Sequence, residues 1–208
     1  MKQVIGITGG VGCGKSTVLS ILKNHFDAEI FMADDVGHEV FDKDSSTYCD
    51  IVSHFGDRIL GEDREIIRNA LAEIIFQDEN EKEFLDSVVH PYVIDRIRES
   101  IDDWNQRVDE IDANDSSVHL FVLETALMFE TRCDELCDEV WGVITDMDLR
   151  IGRLISSRGY SEEKARSIIS AQLSDDVIRQ KCDRVIRNDG SEEELEKAVC
   201  QLVMNTYN

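Results

Sequence analysis

Gly9-Gly10-Val11-Gly12-Cys13-Gly14-Lys15-Ser16 is the stretch on which the reading of this chain turns. It matches the pattern GxxxxGK[ST] and stands between segments of different periodicity. Before it, Val4-Ile5-Gly6-Ile7-Thr8 is a short apolar run, as expected of a parallel strand buried on both faces. After it, Val18, Leu19, Ile21, Leu22 and Phe26 recur at helical spacing. Strand, glycine loop and helix together form an anion cradle. Glycines let consecutive backbone N–H groups curl around oxygen atoms without side-chain clash, and the helix N-terminus adds positive potential. In such a loop Lys15 reaches nucleotide phosphates and the Ser16 hydroxyl is placed for Mg²⁺. The backbone from Val11 through Gly12, Cys13, Gly14, Lys15 and Ser16 to Thr17 is the expected phosphate-binding surface, with Cys13 a small residue that the loop tolerates.

Outward from the loop, Ala28 to Ala33 is a second short apolar run. Residues 35–113 are polar, acidic and mostly helical in pattern: Ile66, Ile67, Leu71, Ile74 and Ile75 mark one helix, and Ile94, Ile97, Ile101 and Trp104 another that begins near Pro91. Strand-like runs return at Val118–Leu123 and Val140–Thr145, followed by a basic helical segment, a short strand at Arg184–Arg187 and a last helix at Leu195–Val203. The order predicts an α/β fold: a three-layer core around a mostly parallel sheet, with an α-helical insertion and a smaller helical excursion. The core is expected from residues 1–34, 114–146 and 178–208, the helical insertion from 35–113, and the smaller excursion from 147–177.

Composition narrows the partners. The 208 residues carry 44 acids against 22 bases, for a net charge of -22. Such a surface repels nucleic acid and anionic membrane. Residues 150–187 depart from the rest, with nine bases and five acids, so a +4 segment sits on a chain otherwise at -26. A local basic patch on an acidic protein suits a small anionic ligand. No window approaches the roughly 20 apolar residues of a membrane span, and no apolar leader opens the chain. The six cysteines, Cys13, Cys49, Cys133, Cys137, Cys182 and Cys200, form no CxxC or zinc-finger spacing and read as buried or partly buried thiols of a reducing cytosol. A cytoplasmic protein is expected, with no nucleic-acid or membrane partner; the sequence leaves the oligomeric state open.

Beyond the loop, Asp34 closes the second apolar run, where a carboxylate can accept a proton from an acceptor hydroxyl. Its neighbour Asp35 is an alternative, and a helix N-cap is the structural reading of Asp34. Arg150 and Arg153 are three apart and share a helix face. A guanidinium fork suits phosphate, so with the break at Gly159 and a new start at Ser161 the segment reads as an arginine-bearing lid; a solvated basic face is the alternative.

Set in order, these residues resemble the dephospho-CoA kinase family. The stretch from Ile7 to Val18 is similar to its phosphate loop, Ala33-Asp34 to the end of its Asp-Ala-Asp motif, and Phe55-Gly56 and His90-Pro91 to pairs in its helical region. Leu127-Met128-Phe129-Glu130 resembles its Leu-Leu-Phe-Glu segment, Arg153 and Gln172 its lid residues, and Asp183 to Ser191 its closing Asp-x-Val-Ile-x-Asn-x-Gly-Ser. The resemblance implies ATP- and Mg²⁺-dependent phosphorylation of the ribose 3′-hydroxyl of dephospho-CoA, the last step of CoA synthesis. It implies Asp34 as catalytic carboxylate, Lys15 and the loop amides on phosphates, Ser16 on Mg²⁺, Arg153 on transferred charge and Asn188 near adenine.

The chain also departs from that pattern. Met32 stands in place of the first Asp of Asp-Ala-Asp, Thr125-Ala126 in place of a residue–proline pair, and Arg150 where Gln is common. The second lid arginine would fall at Ser157, with Arg158 one position later. At about 100° per residue, position 157 lies roughly 40° from Arg153 and Arg158 roughly 140° away, so Arg158 reaches the same phosphates only if the helix ends first. Two further readings stay open: a kinase for another small hydroxyl or nucleotide acceptor, and a nucleotide-binding regulatory module with weakened catalysis. Within 35–113, His90, Arg68, Arg96 and Arg98 are candidate acceptor contacts and equally ordinary helix residues.

Overall fold

A computed structural model of the chain describes residues 1–111 and 117–207. The expected boundary between 113 and 114 lies outside the described residues. Five strands, β1 (Lys2–Thr8), β2 (Glu29–Met32), β3 (His119–Glu124), β4 (Glu139–Ile144) and β5 (Arg184–Arg187), form one sheet in the order β2-β3-β1-β4-β5. The β1/β3, β1/β4 and β4/β5 pairs are parallel. Parallel strands need crossover connections, and covering helices bury both faces, which is why these strands read as unbroken apolar runs. Ile5 and Ile7 are fully buried, as are Trp141 and Val143 of β4. Helices α1 (Lys15–Phe26) and α9 (Glu192–Tyr207) contribute Val18, Leu22, Leu195, Val199 and Val203 to the same core.

Two strand glycines make room for neighbouring segments of the chain. A Cβ on Gly6 of β1 would lie 2.8 Å from Met128 Cε and 2.9 Å from Cys137 Sγ. One on Gly142 of β4 would run into Ile178 and lie 2.9 Å from Cys182 Sγ. The segments after β3 and before β5 thus rest directly on sheet backbone.

The chain divides into two compact units, one of residues 1–31 and 101–208 and one of residues 32–100. The second is helical: α2 (Ala33–Glu39), α3 (Tyr48–Phe55), α4 (Arg68–Gln77) and the first two-thirds of α5 (Glu79–Asp109). Val40, Ile51, Phe55, Ile59, Leu71 and Leu85 are its core. The expected helical segment, 35–113, runs further than this unit because the last turns of α5 face the sheet: Trp104 is 4% exposed, with its ring 5.7 Å from that of Phe121. The expected helix start near Pro91 is also corrected, since Pro91 lies inside α5. Proline removes one backbone bond there, but Phe84, Leu85, Val88 and Val89 before it and Tyr92 and Val93 after it all join one apolar cluster. Tertiary packing on both sides carries the helix through.

Residues 147–177 form α6 (Met147–Arg158), α7 (Glu162–Ser170) and the start of α8 (Asp175–Lys181). Asp146, Ser161 and Ser174 cap the three N-termini with side-chain oxygens. Among the described residues no helix is long and apolar enough to cross a membrane.

Candidate active site

Between β1 and α1 the loop turns back on itself at glycines. Gly12 has φ 78° and Gly14, the N-cap of α1, has φ 89° and ψ 29°. This left-handed backbone favours residues without a Cβ. Space is a second constraint at Gly14, where a Cβ would strike the Asn188 amide. The amides of Gly12, Gly14, Lys15 and Ser16 make no hydrogen bond to any described residue. Four unbonded N–H groups in and just before a helix N-terminus are what an anion needs.

The register of the sheet brings the first charged pair together. Ile7 of β1 lies opposite Glu124, the last residue of β3. Lys15 Nζ donates to Gly9 O at 2.9 Å and pairs with Glu124 Oε1 at 3.4 Å, with the Glu124 side chain only 7% exposed. Sequence reasoning missed Glu124. Its signal was present: an acid ending an otherwise apolar strand, at the strand end where ligands of open α/β sheets gather.

A second layer of polar side chains holds the loop's carbonyls. Asn188, just past β5, donates from Nδ2 to Cys13 O at 2.8 Å. The buried hydroxyl of Thr145, just past β4, lies 3.0 Å from the same oxygen and 3.1 Å from Asn188 O. From α6, Arg153 donates to Gly12 O at 3.3 Å, to Thr145 Oγ1 at 3.4 Å and to Asn188 O at 3.0 Å. Thr145 was also missed, because a threonine ending an apolar strand is indistinguishable from an ordinary strand residue.

One turn earlier on α6, Arg150 donates from Nε to Val11 O at 3.0 Å and from Nη2 to Gln172 Oε1 at 3.3 Å, and pairs with Asp175 at 3.7 Å. Gln172 Oε1 accepts from Val11 N at 2.8 Å. Arg150 is 4% exposed, so the alternative of a solvated basic face fails for it. Arg158 differs. It is the last residue of α6, which Gly159 ends at φ 64°, and its exposed side chain makes no hydrogen bond or ion pair with a described residue.

Asp34 lies in the first turn of α2, exposed, with no hydrogen bond or ion pair to a described residue. The N-cap is Met32, so the capping reading of Asp34 is overturned. The Ser16 hydroxyl is likewise exposed and unbonded among the described residues. The other candidates of the helical unit are locally engaged. Arg68 stacks on Phe41 at 5.5 Å, Arg96 pairs with Glu99 at 2.8 Å and Glu39 at 3.6 Å, Arg98 pairs with Asp95 at 3.3 Å, and His90 lies 3.8 Å from Asp86.

Burial disfavours the thiolate at several of the cysteines. Burial pushes the Cys13 thiol up, against the opposing pull of Arg150 and Lys15. Burial pushes Cys137 up to about 12 and Cys182 up to about 11. Cys49 is exposed, contrary to the expectation that all six are buried or partly buried.

Two clefts flank the loop. One, of about 230 Å³, is lined by Gly9, Gly10, Leu127, Glu130, Gln172 and Leu173 among others. The other, of about 220 Å³, is lined by Gly14, Thr17, Arg153, Asn188, Gly190 and Glu192 among others. A phosphate loop at the strand ends of a three-layer α/β sheet, with a lysine and arginines converging on it, defines a phosphate-loop kinase-like protein.

Comparison with known proteins supplies the family. The profile of dephospho-CoA kinase matches residues 3–194. The dephospho-CoA kinase of Fusobacterium nucleatum is 32% identical over 95% of this chain and 95% of its own, and that of Oceanobacillus iheyensis is 35% identical over 93% and 92%. A crystal structure of a Thermus thermophilus protein overlays with a TM-score of 0.78 at 25% identity, covering 100% of this chain and 99% of that one. The Acinetobacter baumannii shikimate kinase overlays at 0.52 with 16% identity, covering 100% and 97%, a likeness of fold alone. The chain belongs to the dephospho-CoA kinase family, whose reaction is the ATP-dependent phosphorylation of dephospho-CoA in CoA biosynthesis.

Proposed function

We propose that the chain transfers the γ-phosphoryl group of ATP to the ribose 3′-hydroxyl of dephospho-CoA. The bond from the γ-phosphorus to the β–γ bridging oxygen breaks, ADP leaves, and the hydroxyl proton passes to the Asp34 carboxylate. The observation that carries the nucleotide half is the loop itself, with its open amides at Gly12, Gly14, Lys15 and Ser16 beside the paired Lys15. Family membership carries the acceptor.

In this reading Lys15 leaves Gly9 O and Glu124 for the phosphates, and Arg153 meets the charge of the transferred group. Asn188 borders the adenine of ATP. Arg158 is still helical as the last residue of α6, so it has no part in this reading. Residues 35–113 hold the acceptor, and 147–177 exclude water as a lid. Among the described residues no group of three or more His, Cys, Asp or Glu side chains gathers as a metal site. A Mg²⁺ ion would be held by phosphates, water and the unbonded Ser16 hydroxyl, and would neutralise charge on the β and γ phosphates. The acidic surface and the absence of an extended basic stripe suit a small-molecule acceptor in the cytoplasm.

ADP release is measured with and without dephospho-CoA, on wild type and Asp34→Ala. The expected result is turnover that requires dephospho-CoA and falls about 10³-fold in the variant, with ATP binding retained. Folded, ATP-binding wild type without turnover dependent on dephospho-CoA would favour another small acceptor or the regulatory module.

A further inference from the structure

The Arg150 guanidinium is engaged on every side by groups of the protein itself. Its Nε is on Val11 O, its Nη2 on Gln172 Oε1 and its Nη1 beside Asp175, with 4% of the residue exposed. Gln172 Oε1 also takes the Val11 N–H at 2.8 Å. Two successive peptide units of the phosphate loop are thereby held, the first through its N–H by Gln172 and the second through its C=O by Arg150. Gly10 shows how close the clasp lies: a Cβ there would strike the Arg150 guanidinium and approach Gln172 Oε1 to 3.0 Å.

We propose that Arg150 and Gln172 are a pair of positioning residues that act on bound nucleotide through the backbone of Val11. The assignment rests on the nucleotide site proposed above and deepens it. Arginine is suited to the task because a planar fork bridges separated oxygens in fixed geometry, whereas a lysine ammonium is a point charge on a flexible stem. Asp175, at the first turn of α8, balances a cation that burial would otherwise make costly. Arg150 differs here from Arg153, which is bonded to Gly12 O, Thr145 and Asn188 and lines the cleft beside Gly14.

A double-mutant cycle tests the pair, with ADP affinity read by calorimetry and steady-state KM for ATP and for dephospho-CoA read in parallel. Arg150→Met and Gln172→Ala are each expected to weaken ADP binding and raise KM for ATP about tenfold, with KM for dephospho-CoA within twofold of wild type. The double variant is expected to be no worse than the poorer single, because residues acting as a unit are not additive. Arg150→Lys is expected not to rescue. ADP affinity unchanged within twofold in both singles, additive losses, or full rescue by lysine would each overturn the proposal. Gln172 is half-buried in the loop between α7 and α8, so Gln172→Ala keeps the test open if Arg150→Met fails to fold. Calorimetry with ADP needs no acceptor, so loss of the dephospho-CoA assignment would leave this result readable.

Discussion

The phosphate loop and the helical unit of residues 32–100 solve opposite problems. Around the loop, polar groups are drawn in and paired: Thr145, Arg150 and Asn188 are each under 7% exposed and each hydrogen-bonds loop backbone. In the helical unit the buried set is apolar but for Thr47, whose hydroxyl donates to Val40 O, and its cations pair locally at the surface. A site that must hold charge in fixed geometry places its polar network inside, where hydrogen bonds are strong and unmet ones costly. A unit whose helices need only a common core leaves charge in water, where an exposed pair contributes about 0–1 kcal/mol.

The largest expected effect lies on the loop side. Lys15→Met removes the ammonium from the phosphates and leaves the Glu124 carboxylate buried, and kcat/KM for ATP is expected to fall about 10³-fold, near 4 kcal/mol. A loss under tenfold would mean that other cations carry the transferred charge and that the loop is less specialised than its burial implies. Next in size, Ile51→Ala opens a cavity in the helical core, with an expected loss of about 3 kcal/mol in denaturant unfolding. ADP affinity should stay within twofold; a larger shift would break the comparison by showing that the two units are energetically one. The smallest effect is at Thr145→Val, which keeps shape and deletes the hydroxyl between Cys13 O, Asn188 O and Arg153. About 1.5 kcal/mol of stability should be lost, because buried partners are left unmet. A neutral result would show that Asn188 and Arg153 satisfy those carbonyls without it.

What was legible in the sequence divides along the same line. The loop could be read because its chemistry is backbone chemistry: glycines at fixed spacing report where N–H groups must point. The parallel core could be read because strands buried on both faces leave unbroken apolar runs. Glu124 was not legible as a site residue, since its meaning comes from the β1/β3 register, which places it opposite Ile7. The solvated-face reading of Arg150 was excluded by burial, which spacing on a helix does not reveal. The course of α5 through Pro91 was hidden because packing on both sides overrode a local breaker. In the helical unit, Arg68, Arg96 and Arg98 look alike in sequence and remain alike in structure, each tied to a neighbour.

The bare backbone of Gly6 and Gly142 has a consequence for anyone recombining this chain with its relatives. Met128 and Cys137 are pegs fitted to one hole in the sheet, and Ile178 and Cys182 are pegs fitted to another. Peg and hole lie far apart along the chain, so a crossover between them exchanges one without the other. A chimera that brings alanine to position 6 or 142 while keeping these pegs inherits a collision on the sheet surface, on strands that lead straight into the candidate site. Breakpoints that keep 6 with 128–137 and 142 with 178–182 are the ones the architecture permits.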